Sequence, residues 1–204
     1  MSILPEALLT ELYTGATHTL TITPSGIVRR DDPPQGAILP GSFNPLHWGH
    51  TRLAEAAAQY TGLPVGYELT ISNADKGMLD QSEVQRRVAQ FTHQHTLVLA
   101  VAPRFLDKAA LYPGRVFVLG YDTVVRLLDP RYYPDAGGIE HVLTQFAAHN
   151  CRFLVAGRHM GERFATLDDL TIPPRFRSHF VGLPETAFRA DISSTALRAR
   201  AHGS

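Results

Sequence analysis

A chain of 204 residues with 44% hydrophobic and 19% charged content is long enough for one sizeable core and short for two, so a single α/β domain with additions is expected. Its 19 basic and 19 acidic residues cancel, which removes any bulk-charge argument for nucleic-acid or anionic-membrane binding and leaves only local basic pockets. The single cysteine, Cys151, excludes an internal disulfide, Met1 begins no charged-then-apolar secretion signal, and no apolar run approaches the roughly 18 residues of a membrane span, so a cytoplasmic protein is expected.

In chain order, residues 1–35 predict an N-terminal extension: a short helix near Pro5 to Tyr13, then HTLTITPSGIVRR, whose alternation around Pro24-Ser25-Gly26 predicts a hairpin. DDPPQG then breaks the chain. From Gly36 onward apolar runs alternate with helical patterns: GAILPG with TRLAEAAAQY, VGYELTIS with QSEVQRRVAQF, TLVLAVA with PRFLDKAALY, and RVFVLG with TVVRLL. A helix around Ile139 to His149 then leads into CRFLVAG. This rhythm predicts crossover units and a Rossmann-like, doubly wound, mostly parallel sheet of about five strands over residues 36–204. Cys151 opens the last run and reads as a buried strand thiol. Pro130 to Gly138 is expected to be a mobile loop, HFVGL a short late strand, and a final helix to begin near Ser194.

Ligands of open parallel sheets bind outside the carboxyl ends of the strands. LPGSFNPLHWGH leaves the first core strand at that edge, with Asn44 read as a helix N-cap and Pro45 as the first helical residue. His47 and His50 then share one face of the first turn, where free N–H groups and the helix dipole favour an anion. Two imidazole donors suit a phosphate; taken alone, the pair also fits a helix surface or two metal ligands. In ISSTALR, Ser193 or Ser194 can cap a helix while Arg198 presents a fork of donors about a turn later, which makes a second anion site or an ordinary capped helix. His93 and His95 have metal-like spacing but read as a helix-end surface, and Asp168-Asp169 as a solvated turn.

GSFNPLHWGH resembles the signature of the HxGH nucleotidyltransferases, and ISSTALR resembles their C-terminal hallmark, in the same order and at the expected ends of residues 36–200. The resemblance implies ATP and phosphate contacts from Gly41, Ser42, Phe43, Asn44, Gly49, Ser193, Ser194 and Thr195, with His47, His50 and Arg198 catalytic. It also implies a phosphate-proximal lysine, matched by Lys76 in NADKGMLD, although a solvated lysine is the alternative. VLGYDTVVRL resembles the GxD step of mononucleotide adenylyltransferases: Gly120 lets a ligand approach the backbone and Asp122 accepts from ribose hydroxyls or caps a helix. Arg158 stands where the family commonly has an arginine. Tyr132 and Tyr133 stand about where pyridine-nucleotide enzymes often have a stacking tryptophan, a departure that bears on the acceptor. Trp48, the only tryptophan, occupies the variable position of HxGH and reads as packing.

What the resemblance implies is transfer of AMP from ATP to a phosphate-bearing acceptor. Nicotinamide or nicotinate mononucleotide is preferred; phosphopantetheine is the alternative, since NADKGMLDQSEVQRR resembles its segment too. A cytidylyltransferase fits less well, because the C-terminal RTxGIST form is absent. Mg²⁺ is expected through the ATP phosphates, with no dedicated protein metal site. No nucleic-acid or membrane partner is expected, and the sequence leaves room for a homo-oligomer. A nucleotide-sensing module with little turnover is the reading from a different class.

Overall fold

The structure, a computed structural model, describes residues 4–73, 77–91, 93–102, 104–133 and 137–189. The chain runs α1 (Glu6–Thr14), β1 (Thr19–Ile22), β2 (Val28–Arg30), β3 (Ala37–Gly41), α2 (Trp48–Thr61), β4 (Val65–Thr70), β5 (Ser72–Asn73), β6 (Gly77–Met78) and α3 (Gln81–Val88). It continues with β7 (Leu97–Ala100), α4 (Phe105–Leu111), β8 (Val116–Gly120), α5 (Tyr121–Leu128), α6 (Gly138–Ala148), β9 (Arg152–Ala156), β10 (Arg158–Met160), β11 (Arg163–Ala165) and β12 (Phe180–Leu183).

The main sheet has the order β12-β9-β8-β3-β4-β7-β1-β2. Every neighbouring pair from β12 to β7 is parallel, whereas β1 pairs antiparallel with both β7 and β2. The sheet therefore has eight strands rather than the five expected. The difference lies in pairing, which is long-range: the N-terminal hairpin adds to the edge at β7, with Leu20 opposite Leu99, and HFVGL adds beside β9, with Phe180 opposite Phe153. Among the described residues the helices fall where the apolar periodicity predicts them.

Side-chain alternation sorts the strands into two cores. Leu39, Tyr67, Leu69, Leu97, Leu99, Val118 and Leu154 face one way, onto α1, α2 and α3, while Ile38, Val98, Phe117, Leu119, Phe153 and Val155 face the other, onto α4, α5 and α6. Both faces are covered, as the near-continuous apolar runs require. The DDPP link is held down by Arg115, whose buried guanidinium donates to the carbonyls of Pro33, Pro34 and Pro113. Cys151 is fully buried, donates to the Tyr112 carbonyl at 3.3 Å, and has its pKa raised by burial. Asp168 and Asp169 are paired with Arg177 and Arg163. Residues 130–132 form a 3-10 turn capped by the Asp129 carboxylate, and residues 134–136 of the expected loop lie outside the described residues, as does the helix expected near Ser194. Among the described residues no helix is long and apolar enough to cross a membrane.

One polar cluster interrupts the second core. Glu68, on β4, is fully buried and accepts two bonds of 2.6 Å from Lys108 of α4, which also donates to Thr70 at 2.6 Å. Removing one partner of such a pair leaves the other charge desolvated and unpaired. Lys108→Met is expected to lose about 3–5 kcal/mol in urea unfolding, and the double variant Lys108→Met/Glu68→Leu to recover most of it. Equal losses in the single and double variants would show that an unpaired charge is not the cause.

Candidate active site

The strand order places the topological switch between β3 and β8: from β3 the chain proceeds outward through β4 and β7, then returns to β8 on the other side. The ladders part there. β3 pairs with β4 as far as Gly41 and β8 pairs with β9 as far as Gly120, but β3 and β8 pair only at Ala37–Val116 and Ile38–Phe117. Continuing that register sets Gly41 against Gly120 at the open end of the crevice. Gly120 has an ordinary extended backbone (φ −74°, ψ 155°), and a Cβ there would meet no protein atom within 4 Å. Neither strain nor packing calls for glycine at this position, and the backbone there faces open space.

Residues 42–47 lead from β3 to α2. The N-cap of α2 is His47, not Asn44 as expected from the Asn-Pro pair: Asn44 and Pro45 form a turn, and the extended backbone of His47 (φ −142°, ψ 167°) precedes the first helical residue, Trp48. The two histidines cap the helix reciprocally. His47 Nδ1 accepts from Gly49 N–H at 3.2 Å, and His50 Nδ1 accepts from His47 N–H at 3.2 Å. An accepting Nδ1 in a neutral imidazole puts the proton on Nε2, so capping selects the Nε2–H tautomer of both rings. The rings stack with centroids 3.8 Å apart.

Beneath them lies an aromatic floor. Phe43 is fully buried with a left-handed backbone (φ 45°), and its ring meets the His50 ring edge-on at 5.0 Å, Phe91 at 5.1 Å and Tyr67 at 5.6 Å. A Cβ at position 41 would sit 2.7 Å from the Phe43 ring, so Gly41 is what lets this ring fold back under the loop. His95 closes the far side against Tyr67 at 4.8 Å; expected on a helix-end surface, it is instead half-buried by this packing. Burial, reinforced by the neighbouring His47, pushes the His50 pKa down to about 4, and burial also lowers that of His47. Both rings are therefore neutral donors at pH 7.

Across the crevice, Gly120 caps α5 and Asp122 stands in its first turn rather than at the cap. Asp122 forms an ion pair with Arg158, which opens β10 just past β9, so the structure brings these two expected residues into direct contact. Tyr132 is 53% exposed, whereas Tyr133 is 5% exposed, packed in the second core with its pKa raised to about 12 by burial; only Tyr132 has a ring open to a stacking partner. Trp48 is 47% exposed, with the Arg52 guanidinium 5.7 Å from its ring, and so is not the packing residue expected. Lys76, Ser193, Ser194, Thr195 and Arg198 lie outside the described residues.

One set of contacts at the site was given no role from the sequence. Arg86, Arg87 and Gln90 reach from α3 and the 3-10 turn after it to Asn44, Ser42, Phe43 and Leu46. Arg86 and Arg87 close the NADKGMLDQSEVQRR stretch, whose resemblance marked the lysine and the helix rather than these side chains, and Gln90 follows in a polar i, i+3 repeat that any solvated helix shows.

Similarity to known proteins agrees with this geometry. The family model described as cytidylyltransferase-like matches residues 38–200. A protein of Schizosaccharomyces pombe named "Putative nicotinamide mononucleotide adenylyltransferase" is 27% identical over 126 residues, covering 53% of this chain and 48% of the relative. The chain thus spans about half the length of the curated relative it matches.

Two outcomes are expected. In NMR titration the His50 ring should stay neutral at pH 6 and take up its proton near pH 4. Because the unfolded chain takes up that proton first, at about 6.5, acidification from about 6.5 towards 4 should erode stability by up to about 1.4 kcal/mol per pH unit from this group. A His50 ring titrating at its ordinary value would show that the Phe43 floor does not desolvate it. Separately, Gly41→Ala should lose about 1–3 kcal/mol by driving the Phe43 ring out of place, read by thermal unfolding.

Proposed function

This chain belongs to the cytidylyltransferase-like family, and on that premise we propose that it transfers AMP from ATP to a phosphate-bearing acceptor, nicotinamide or nicotinate mononucleotide, releasing pyrophosphate. The observation that carries the reading is the pair of reciprocally capping histidines, whose Nε2–H donors sit at a helix N-terminus on the edge of a crevice framed by Gly41 and Gly120. The named relative and the Gly120–Asp122 step favour the pyridine mononucleotide acceptor.

In this reading an oxygen of the acceptor phosphate attacks the α-phosphorus of ATP in line. The bond from that phosphorus to the bridging oxygen breaks, and pyrophosphate departs with the electron pair. No covalent bond to the protein is needed; the protein positions the groups and compensates charge. His47 and His50 donate to phosphate oxygens on which charge builds up. Gly120 leaves room for the nucleotide, Asp122 accepts from ribose hydroxyls while paired with Arg158, and Tyr132 offers a face to the acceptor base. Lys76, Ser193, Ser194, Thr195 and Arg198 are assigned to the phosphates by family resemblance. Mg²⁺ enters with ATP as part of the substrate, held through its phosphate oxygens.

Pyrophosphate release from ATP and Mg²⁺ is the test, with nicotinamide mononucleotide, nicotinate mononucleotide and phosphopantetheine as acceptors. Release is expected with a pyridine mononucleotide, and His50→Ala should lower turnover about 10²-fold or more, as loss of an oxyanion donor does. Near-normal turnover in His50→Ala would end the histidine assignment. Release with phosphopantetheine alone would replace the acceptor, and ATP binding without release from any acceptor would point to a sensing module instead.

A further inference from the structure

Residues 42–47 have no regular backbone pairing of their own, yet the two histidines depend on where this segment puts them. Several of its polar groups are met by α3 and the turn that follows it. Gln90 uses both ends of its amide: Nε2 donates to the Phe43 carbonyl at 3.0 Å and Oε1 accepts from Leu46 N–H at 2.8 Å, bridging the segment on either side of the Asn44-Pro45 turn. Arg87, 8% exposed, donates from Nη1 to the Ser42 carbonyl at 2.8 Å and from Nε to Glu83 at 2.8 Å. Arg86 donates to the Asn44 side chain at 2.7 Å and also to Glu83. These contacts hold Glu83 ionised, its pKa lowered to about 2 chiefly by the hydrogen bond from Arg86, so the carboxylate keeps both guanidinium groups aimed at the loop across the neutral range. Phe91, one residue past Gln90, packs against Phe43 itself.

We infer that Arg87 and Gln90 are positioning residues of the nucleotide site, holding residues 42–46 in the conformation that presents His47 and His50 to the triphosphate. The inference rests on the adenylyl-transfer reading for its kinetic consequence, but the positioning itself has an independent signature. Neither side chain need touch substrate. Gln90 sets the separation between the Phe43 carbonyl and the Leu46 N–H, and with it the seat of the Phe43 ring under His50. Arg87 anchors the point where the chain leaves β3. Without them the loop keeps its sequence and loses its register against the helix N-terminus.

The test uses the full chain carrying Gln90→Leu, which keeps the side-chain bulk and removes both hydrogen bonds, and Arg87→Lys, which keeps the charge but replaces the separate nitrogens that reach Ser42 and Glu83 with a single one. Val142→Ala, in the opposite core, serves as a control that loses stability away from the loop. Gln90→Leu is expected to lower kcat for pyrophosphate release about 10²-fold, with KM for ATP within about threefold of the parent, since misplacement acts on the reacting geometry. In the same variant the NMR titration of the His50 ring should move upward, towards that of a solvated imidazole, as the Phe43 floor loosens. Arg87→Lys should shift both readouts the same way by a smaller factor, and Val142→Ala should lower the melting temperature and leave both unchanged. Parent-like kcat and parent-like His50 titration in a folded Gln90→Leu protein would overturn the inference. If Gln90→Leu does not fold, Arg87→Lys supplies the same two readouts and decides the positioning role in the same way. If the parent protein releases no pyrophosphate with any acceptor, the reaction assignment fails, and the His50 titration decides the positioning role on its own.

Discussion

The burial of the Phe43 ring beneath His50 is the contact on which the rest of the site depends. It needs a residue without a side chain at Gly41, a left-handed backbone at Phe43, and an apolar floor supplied by Tyr67 of β4 and Phe91 after α3. Once the ring is in place, His50 is desolvated, its Nδ1 is committed to the His47 backbone, and its proton must sit on Nε2. Hydrophobic packing thereby keeps His50 neutral while the helix cap selects its tautomer, and each histidine that spends Nδ1 on the cap carries its proton on the opposite ring nitrogen.

The surrounding fold serves that contact at two levels. The parting of β3 and β8 after Ile38 and Phe117 opens the crevice and puts the α2 and α5 N-termini on its rim. The N-terminal segment, which precedes the region matched by the family model, reaches the site less directly. Leu4, Leu9 and Leu12 share a core with Phe43, Val84 and Val88. The Gln85 amide donates to the Leu4 carbonyl at 2.8 Å, and the Tyr13 hydroxyl donates to the Leu79 carbonyl just before α3. α3 is therefore gripped on one side by the N-terminal segment while it holds the histidine loop with the other.

The opposite core is organised differently. It meets the sheet through Phe117, Phe146 and Phe153, whose rings lie within about 6 Å of one another, and admits one buried ion pair, Glu68 with Lys108. Charge buried at this depth is tolerated because both partners and Thr70 are mutually bonded, which ties α4 to the middle strand β4. The Asp122–Arg158 pair is the contrasting case: both side chains stay partly exposed at the crevice edge, where water screens the attraction.

Alternation of apolar runs with helical periodicity was enough, in the sequence alone, to determine an α/β chain with a mostly parallel sheet, because each element's burial pattern is local. Two short motifs, GSFNPLHWGH and ISSTALR, carried the resemblance to the nucleotidyltransferase superfamily, because each is a contiguous stretch legible without the fold. Everything that needed two distant segments to meet was decided only by the tertiary structure. The hairpin and HFVGL were legible as strands, but their joining one eight-stranded sheet was not, since edge pairing depends on backbone groups that every residue carries. The Asn44-Pro45 pair reads locally as a helix start, and the cap fell instead on His47, because Gln90 and Arg86 hold the preceding turn from another part of the chain. Adjacent tyrosines look alike in the sequence; packing left Tyr132 in solvent and sent Tyr133 into the core. Arg87 and Gln90 carry no signal of their own because backbone carbonyls and N–H groups, which are the same at every position, are their partners; only the fold reveals which ones they reach.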